Sequence, residues 1–291
     1  MKCLLLINTS SGNAARVVDN PRLKETLLAM YDAVDEIRIT EHDRDFDLPA
    51  ALKGYGALAV CGGDGTFHNT LNAVRDLDVE LMYVPCGTFN DAAKTLKLGK
   101  ALKADSDRLV RRIDLGDING RLFSYVAAAG SFTPIGYIPK TKYKKLFKRF
   151  VYYFYAFKEF RIHRIPARIR TDSGLAVDKT FSLIMAINSK YCFGFPFNRR
   201  FSHNNGKAQL LLIEAPEGCL RYVRFFLRFF RAFFIGFHKE YRGKHVTFVD
   251  FTAATVDLDA PVEFCVDGER FVSETHNTFF VHKRKGKLFL L

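Results

Sequence analysis

Residues 57–66 read Ala-Leu-Ala-Val-Cys-Gly-Gly-Asp-Gly-Thr, five apolar positions and then a glycine-rich turn with one acid. A continuous apolar run of that length, ended by turn residues, predicts a strand buried on both faces. The spacing over 67–77 predicts a helix directly after it. Strand, glycine turn and helix start together suit an anion. Glycines let backbone N–H groups approach a phosphate closely, and a helix N-terminus carries partial positive charge. Asp64 cannot hold phosphate itself. It suits a cation that travels with phosphate, or the proton of an attacking hydroxyl. The plain alternative is a strand–helix turn, where Gly and Asp are common for conformational reasons alone.

The same rhythm extends outward from this stretch. Upstream, 3–7 reads as a strand ending in Asn8-Thr9-Ser10-Ser11-Gly12, and 21–34 has helical spacing. Downstream, 81–84 reads as a strand that runs into a second turn, Pro85-Cys86-Gly87-Thr88-Phe89-Asn90-Asp91. Repeated strand–turn–helix units predict an α/β domain with an open parallel sheet. Ligands of such sheets bind at the carboxyl ends of the strands, where both turns lie. From about residue 117 the pattern changes. Short β-rich stretches at 123–129, 167–171, 181–188, 208–214, 245–251 and 262–266 predict a β-rich, sandwich-like second domain. The expected division is 1–118, with 277–291 returning to it, and 119–276.

Composition agrees with two cores: 291 residues, 48% of them hydrophobic, are too many for one typical domain and too apolar for a disordered chain. No apolar run approaches the roughly 20 residues that span a bilayer, and the N-terminus lacks a signal-peptide pattern. The expectation is a cytoplasmic protein with no span. The six cysteines are scattered and read as reduced, mostly buried thiols. The eight histidines show no metal-binding spacing. The formal net charge of +13 calls for an acidic partner: nucleic acid, anionic lipid or nucleotide. No nucleic-acid-binding module is present, so no nucleic-acid partner is expected.

Taken together, 62–66 and 85–91 resemble the diacylglycerol kinase catalytic family, which includes sphingosine kinases and bacterial lipid kinases. That family shows a GGDGT turn and, some twenty residues on, a P-x-GT-x-ND turn. Nicotinamide-nucleotide kinases and phosphofructokinases share only the first. Further similarities lie at 8–12, at Ile113-Asp114-Leu115-Gly116, at 142–157 and at Val266-Asp267-Gly268-Glu269. The resemblance implies an ATP-dependent lipid kinase, with diacylglycerol as the default acceptor and a sphingoid base or polyprenol as alternatives. It implies an ATP site in the first domain and a lipid site between the domains. Asn8, Thr9, Ser10, Ser11, Gly12, Thr40, Gly62, Gly63, Gly65, Thr66, Thr88 and Asn90 would hold the nucleotide. Asp64, Asp91 and Asp114 would organise Mg²⁺. Asp267 or Glu269 would be the general base, a role some members give to the residue matching Asp64. For Asp267-Gly268 the plain alternative is a hairpin turn.

The chain departs from the family pattern in places. Asn69 stands where an acid is usual, and Thr9 and Asn13 replace a Pro and a Lys of the opening loop. The loop that in many bacterial members binds a structural Mg²⁺ appears here with Arg200, Asn204 and Asn205 in place of carboxylates, so that site is not carried over. Phe193-Gly194-Phe195-Pro196 stands where glycines usually precede it. These departures motivate a second reading, a non-catalytic nucleotide- and membrane-binding relative.

Two segments bear on an anionic membrane surface as partner and on peripheral association with it. Residues 140–170 hold eleven Lys/Arg and one acid, with nine aromatics over 143–160. Since each basic residue near an anionic leaflet is worth about 1 kcal/mol, 140–149 is the expected membrane patch. Residues 220–237 have helical spacing, with Arg221, Arg224, Arg228 and Arg231 on one face and phenylalanines on a wider one. The expectation is that the Phe face packs on the β domain while the arginines face water. Oligomeric state stays open, a homodimer included.

Overall fold

A computed structural model describes residues 1–14, 21–40, 43, 45–87, 90–96, 110–131, 161–192 and 194–289. The chain divides into two units, Met1–Ile113 with Gly286–Leu291, and Asp114–Lys285. The division falls at Ile113 and Lys285, where the sequence suggests 118 and 277.

The first unit is built as β1 (Lys2–Asn8), α1 (Pro21–Met30), β2 (Ala33–Ile39), α2 (Leu48–Ala51), β3 (Ala57–Gly62), α3 (Asp64–Ala73), β4 (Glu80–Pro85) and α4 (Asp91–Leu96). Its strands pair in parallel in the order β4-β3-β1-β2. Leu288 and Phe289, near the C-terminus, add parallel pairs to Leu81 and Met82 of β4. β3 is buried at all six positions, as its unbroken apolar run predicts. The spacing over 21–34 merges two elements. The helix stops at Met30, and Ala33–Ile39 is a strand at the β1 edge with mostly part-exposed side chains, so it carries no apolar run to announce it. A core of Cys3, Leu5, Ile7, Leu23, Leu27, Ala59 and Met82 joins sheet to α1.

The second unit is antiparallel. Strand β5 (Val110–Ile118) leads into it, followed by β6 (Arg121–Phe123), β7 (Val126–Gly130), β8 (Ile165–Thr171), β9 (Ala176–Ile187) and β10 (Ala208–Glu214). Helix α5 (Arg221–Phe230) continues as a π-helical turn, Arg231–Ile235. Then come β11 (Tyr241–Arg242), β12 (Val246–Phe251), β13 (Ala253–Leu258), β14 (Glu263–Val266), β15 (Glu269–Val272) and β16 (His276–Phe289). The pairing order runs β11-β12-β10-β9-β8-β13-β16. The twelve-residue β9 pairs with β8 along its first half and with β7 along its second, and β7 in turn carries the β14–β15 hairpin. The sheet thereby curls around one core that includes Phe123, Phe181, Ile184, Val256, Phe264 and Phe279. This is the expected β-rich unit.

The aromatic helix sits differently from expectation. Phe225, Phe229 and Ala232 face inward, while Tyr222, Phe226, Phe230 and Phe234 are exposed. The arginines do not simply face water. Arg224 and Arg228 donate to the carbonyls of Glu217 and Glu214 at 2.8 and 2.7 Å, which fixes how the helix is rotated. The 140–149 patch, Thr88 and Phe193 lie outside the described residues.

The cysteines also need correction. Cys61 and Cys86 form a disulfide, whereas Cys3, Cys192 and Cys265 are buried thiols and Cys219 is an exposed one. Cys61 and Cys86 close adjacent strands β3 and β4 at the same end, which their spacing of 25 residues does not reveal.

Candidate functional site

Three loops gather at the carboxyl edge of the parallel sheet. The first follows β1. Asn8 donates from Nδ2 to the Thr66 hydroxyl at 2.8 Å and accepts the Ser10 N–H at 3.0 Å, so one side chain shapes its own loop and reaches the next. Ser11 N–H closes the turn on the Asn8 carbonyl at 3.1 Å, and Asn13 N–H donates to the Cys86 carbonyl at 2.9 Å. Thr9 ties the loop to the end of β2 through its N–H on the Ile39 carbonyl at 2.9 Å. Beside it, Thr40 donates from N–H and hydroxyl to the Asp43 carboxylate at 2.6 and 2.8 Å.

The second and third loops follow β3 and β4 and touch through glycine. A Cβ on Gly87 would lie 2.7 Å from the Gly63 Cα, and one on Gly63 would lie 3.3 Å from the Gly87 Cα. A side chain at Gly87 would force the facing backbone to shift, and one at Gly63 would press it by a few tenths of an ångström. Gly62 is closed in as well, since a Cβ there would meet Thr66 at 2.5 Å. Asp64, in the first turn of α3, reaches across to the other loop. Its two carboxylate oxygens accept the N–H groups of Asp91 and Ala92 at 3.1 and 3.2 Å, which are the opening amides of α4. Asn90, at φ 51°, locks the third loop by exchanging two hydrogen bonds with Gly87 at 2.8 and 3.0 Å. Asp91 is buried, and its carboxylate faces Lys94 at 3.4 Å. The structure thus brings together Asn8 to Gly12, Thr40, Gly62, Gly63, Asp64, Gly65, Thr66, Asn90 and Asp91.

The other predicted acids lie in the second unit. Asp114 is buried and accepts the Gly206 N–H at 2.5 Å, while its own N–H donates to the His203 carbonyl at 2.8 Å. It therefore holds the 203–206 loop, the loop whose carboxylates are absent. Nearby in sequence, Arg200 is paired with Asp250, which also accepts from Gln209 at 3.1 Å. The Asp250 hydrogen bond raises the Arg200 pKa further, against an opposing effect of burial.

Asp267 is fully buried. Its carboxylate accepts Ser124 N–H at 2.5 Å, Ser124 hydroxyl at 2.9 Å, Tyr125 N–H at 3.0 Å and Val126 N–H at 2.9 Å. Asp267 and Gly268 both have positive φ, 50° and 93°, so they form the tight turn of the β14–β15 hairpin that Asp-Gly favours. Asp267 thus pins that hairpin to the start of β7. Glu269, two residues on, is only half-buried. Ser124, which supplies two of these donors, has no sequence signal, since it stands 143 residues from its partner.

Among the described residues, no three His, Cys, Asp or Glu side chains gather as a metal centre. Asp64 and Asp91 are two carboxylates beside a set of backbone donors. That set fits Mg²⁺, which is commonly held by one or two carboxylates together with the phosphates it accompanies.

An open parallel sheet with paired glycine turns and an acid at its carboxyl edge defines an α/β domain whose loop edge is suited to an anion such as phosphate. A model of the diacylglycerol kinase catalytic domain matches residues 2–118, so the N-terminal segment of this chain is similar to that family. Among curated relatives, a diacylglycerol kinase of Staphylococcus epidermidis is 26% identical over 155 residues, 50% of this chain and 49% of that protein. One of Bacillus subtilis (strain 168) is 32% identical over 111 residues, 36% of this chain and 37% of that protein. The chain thus matches about half the length of these relatives or less. A crystal structure of a diacylglycerol kinase from Bacillus anthracis strain Sterne shares the fold at a TM-score of 0.69, covering 100% of this chain and 96% of that one at 16% identity.

Proposed function

We propose that this chain transfers the γ-phosphate of ATP to the hydroxyl of a membrane lipid, with diacylglycerol as the first candidate and phosphatidic acid as its product. The observation that carries the proposal is the glycine-to-glycine contact of two turns with Asp64 bridging them. Phosphoryl transfer asks a protein for positioning and charge neutralisation more than for covalent chemistry. The loop amides and the Asn8 and Thr66 side chains would orient the phosphates. Asp64 and Asp91 would hold Mg²⁺, whose charge offsets that building on the transferred group. Glu269 would take the acceptor's proton, because its carboxylate is reachable where that of Asp267 is enclosed. Other lipid alcohols stay within this chemistry, and an anionic membrane surface is the natural partner of such an enzyme.

The test is transfer of radiolabel from γ-labelled ATP, with Mg²⁺, onto a panel of lipid alcohols in mixed micelles. Asp64→Asn removes the charge and keeps an acceptor for one of the two α4 amides. It is expected to lower transfer about 10²–10⁴-fold and to lower the melt only modestly, so that the protein stays folded under the assay conditions. A labelled product formed equally by both proteins would remove Asp64 from the chemistry. No product on any lipid, with ATP binding intact, would favour the non-catalytic reading.

A further inference from the structure

Helix α5 and the π-helical turn after it turn apolar side chains outward. Tyr222, Phe226, Phe230 and Phe234 form a row at intervals of four, with Phe226 55% and Phe234 61% exposed. The rings run in series along the helix, Phe226 to Phe230 at 6.1 Å and Phe230 to Phe234 at 5.1 Å. Val223 and Leu227, 55% and 58% exposed, widen the row. A contiguous apolar row of this kind marks an interaction surface. The helix cannot roll to hide it. Phe225 and Phe229 are sunk in the domain, and Arg224 and Arg228 are bonded to the carbonyls of Glu217 and Glu214.

Charge selects the occupant. Residues 218–239 contain five Lys/Arg and no Asp or Glu. Two copies meeting on this face would bring cationic rims together, which disfavours association. A bilayer interface offers apolar depth for the rings and anionic headgroups for the exposed Arg221 and Arg224. We propose that α5 docks in the interface of an anionic bilayer, with the 222/226/230/234 row at the acyl boundary and Arg221 and Arg224 among the headgroups. The proposal stands apart from phosphoryl transfer and is tested without ATP.

The chain has no tryptophan, so Phe226→Trp installs a single reporter. Its emission is followed on vesicles of phosphatidylcholine alone or mixed with phosphatidylglycerol, with and without brominated lipid. The expected result is a blue shift on the mixed vesicles, and quenching when the acyl chains are brominated. In sedimentation, the double variant Phe226→Gln, Phe230→Gln is expected to bind these vesicles about a hundredfold less tightly or worse, since two apolar rings are lost from the acyl boundary, with an unchanged melt. Unshifted emission from protein that sediments with vesicles would overturn the proposal, as would failure to bind them. A blue shift that grows with protein concentration in the absence of lipid would assign the face to a second copy and overturn it equally.

Discussion

Asp267 and Glu269 stand two residues apart on one hairpin and face opposite demands. Asp267 has four donors on its carboxylate and no exposed surface, whereas Glu269 is part-exposed. Asp267→Asn is expected to destabilise the second unit by about 2 kcal/mol, because an amide cannot accept all these bonds and leaves a buried donor unmet. A urea melt reads this directly. Glu269→Gln is expected to leave the melt alone and slow labelled-lipid formation about 10²–10⁴-fold. The reverse pattern would exchange their roles. The sequence makes the Asp-Gly turn legible, since the chemistry of that pair is local. It cannot separate plug from base, because the amides that enclose Asp267 lie 141 to 143 residues away. By contrast, Gly63, Asp64, Gly87 and Asn90 lie in two turns whose motifs are legible in sequence, although the contacts that join one turn to the other are not.

At the scale of elements, α5 rests on Glu214, the last residue of β10. Its carbonyl receives Arg228, and its carboxylate receives Lys179 at 2.5 Å and His245 at 2.9 Å. Burial alone would raise the carboxyl pKa, but hydrogen bonds from His245 and Lys179 outweigh burial and hold it below its ordinary value of 4.5. A group with a lowered folded pKa adds stability above its unfolded pKa and loses it as pH falls through the folded one. Glu214→Gln should therefore destabilise the protein at neutral pH and flatten the decline in stability below about pH 4.5. Melts as a function of pH check this, and an unaltered acid limb would rule out the linkage. Helical spacing foretells α5 and its two faces. It does not foretell which face turns out, because the part-buried Arg228 bonds the Glu214 carbonyl and holds its side of the helix against the domain, a long-range contact that spacing does not show.

Across the whole molecule, the sequence expectation of an α/β unit and a β-rich unit follows from the change in periodicity near residue 117, and the structure has that order. Long strands cross the division. β5 and β16 each begin in one unit and end in the other, which blurs the boundary in sequence. The six cysteines report on both units at once. In the native protein Cys219 alone among them is exposed, and burial pushes the Cys3 and Cys265 thiols up to about 12, where little thiolate forms. Thiol titration should find one fast-reacting group in the native state, four after unfolding without reductant and six after reduction. Six groups without reductant would show that Cys61 and Cys86 are not joined.

The near-contact of Gly63 with Gly87 bears on how this protein can change over time. Neither turn has a free choice of residue, because the first methyl added on either side meets the backbone of the other. Gly63→Ala and Gly87→Ala should therefore be strongly epistatic. Once one substitution has pushed the loops apart, the second finds space already opened. On the proposed function, the loss of ATP affinity in the double variant should fall well short of the summed single losses, an interaction of about 0.5–3 kcal/mol for residues in contact. Purely additive losses would mean that the turns yield independently. Where they are coupled, the two motifs must mutate as a pair or not at all.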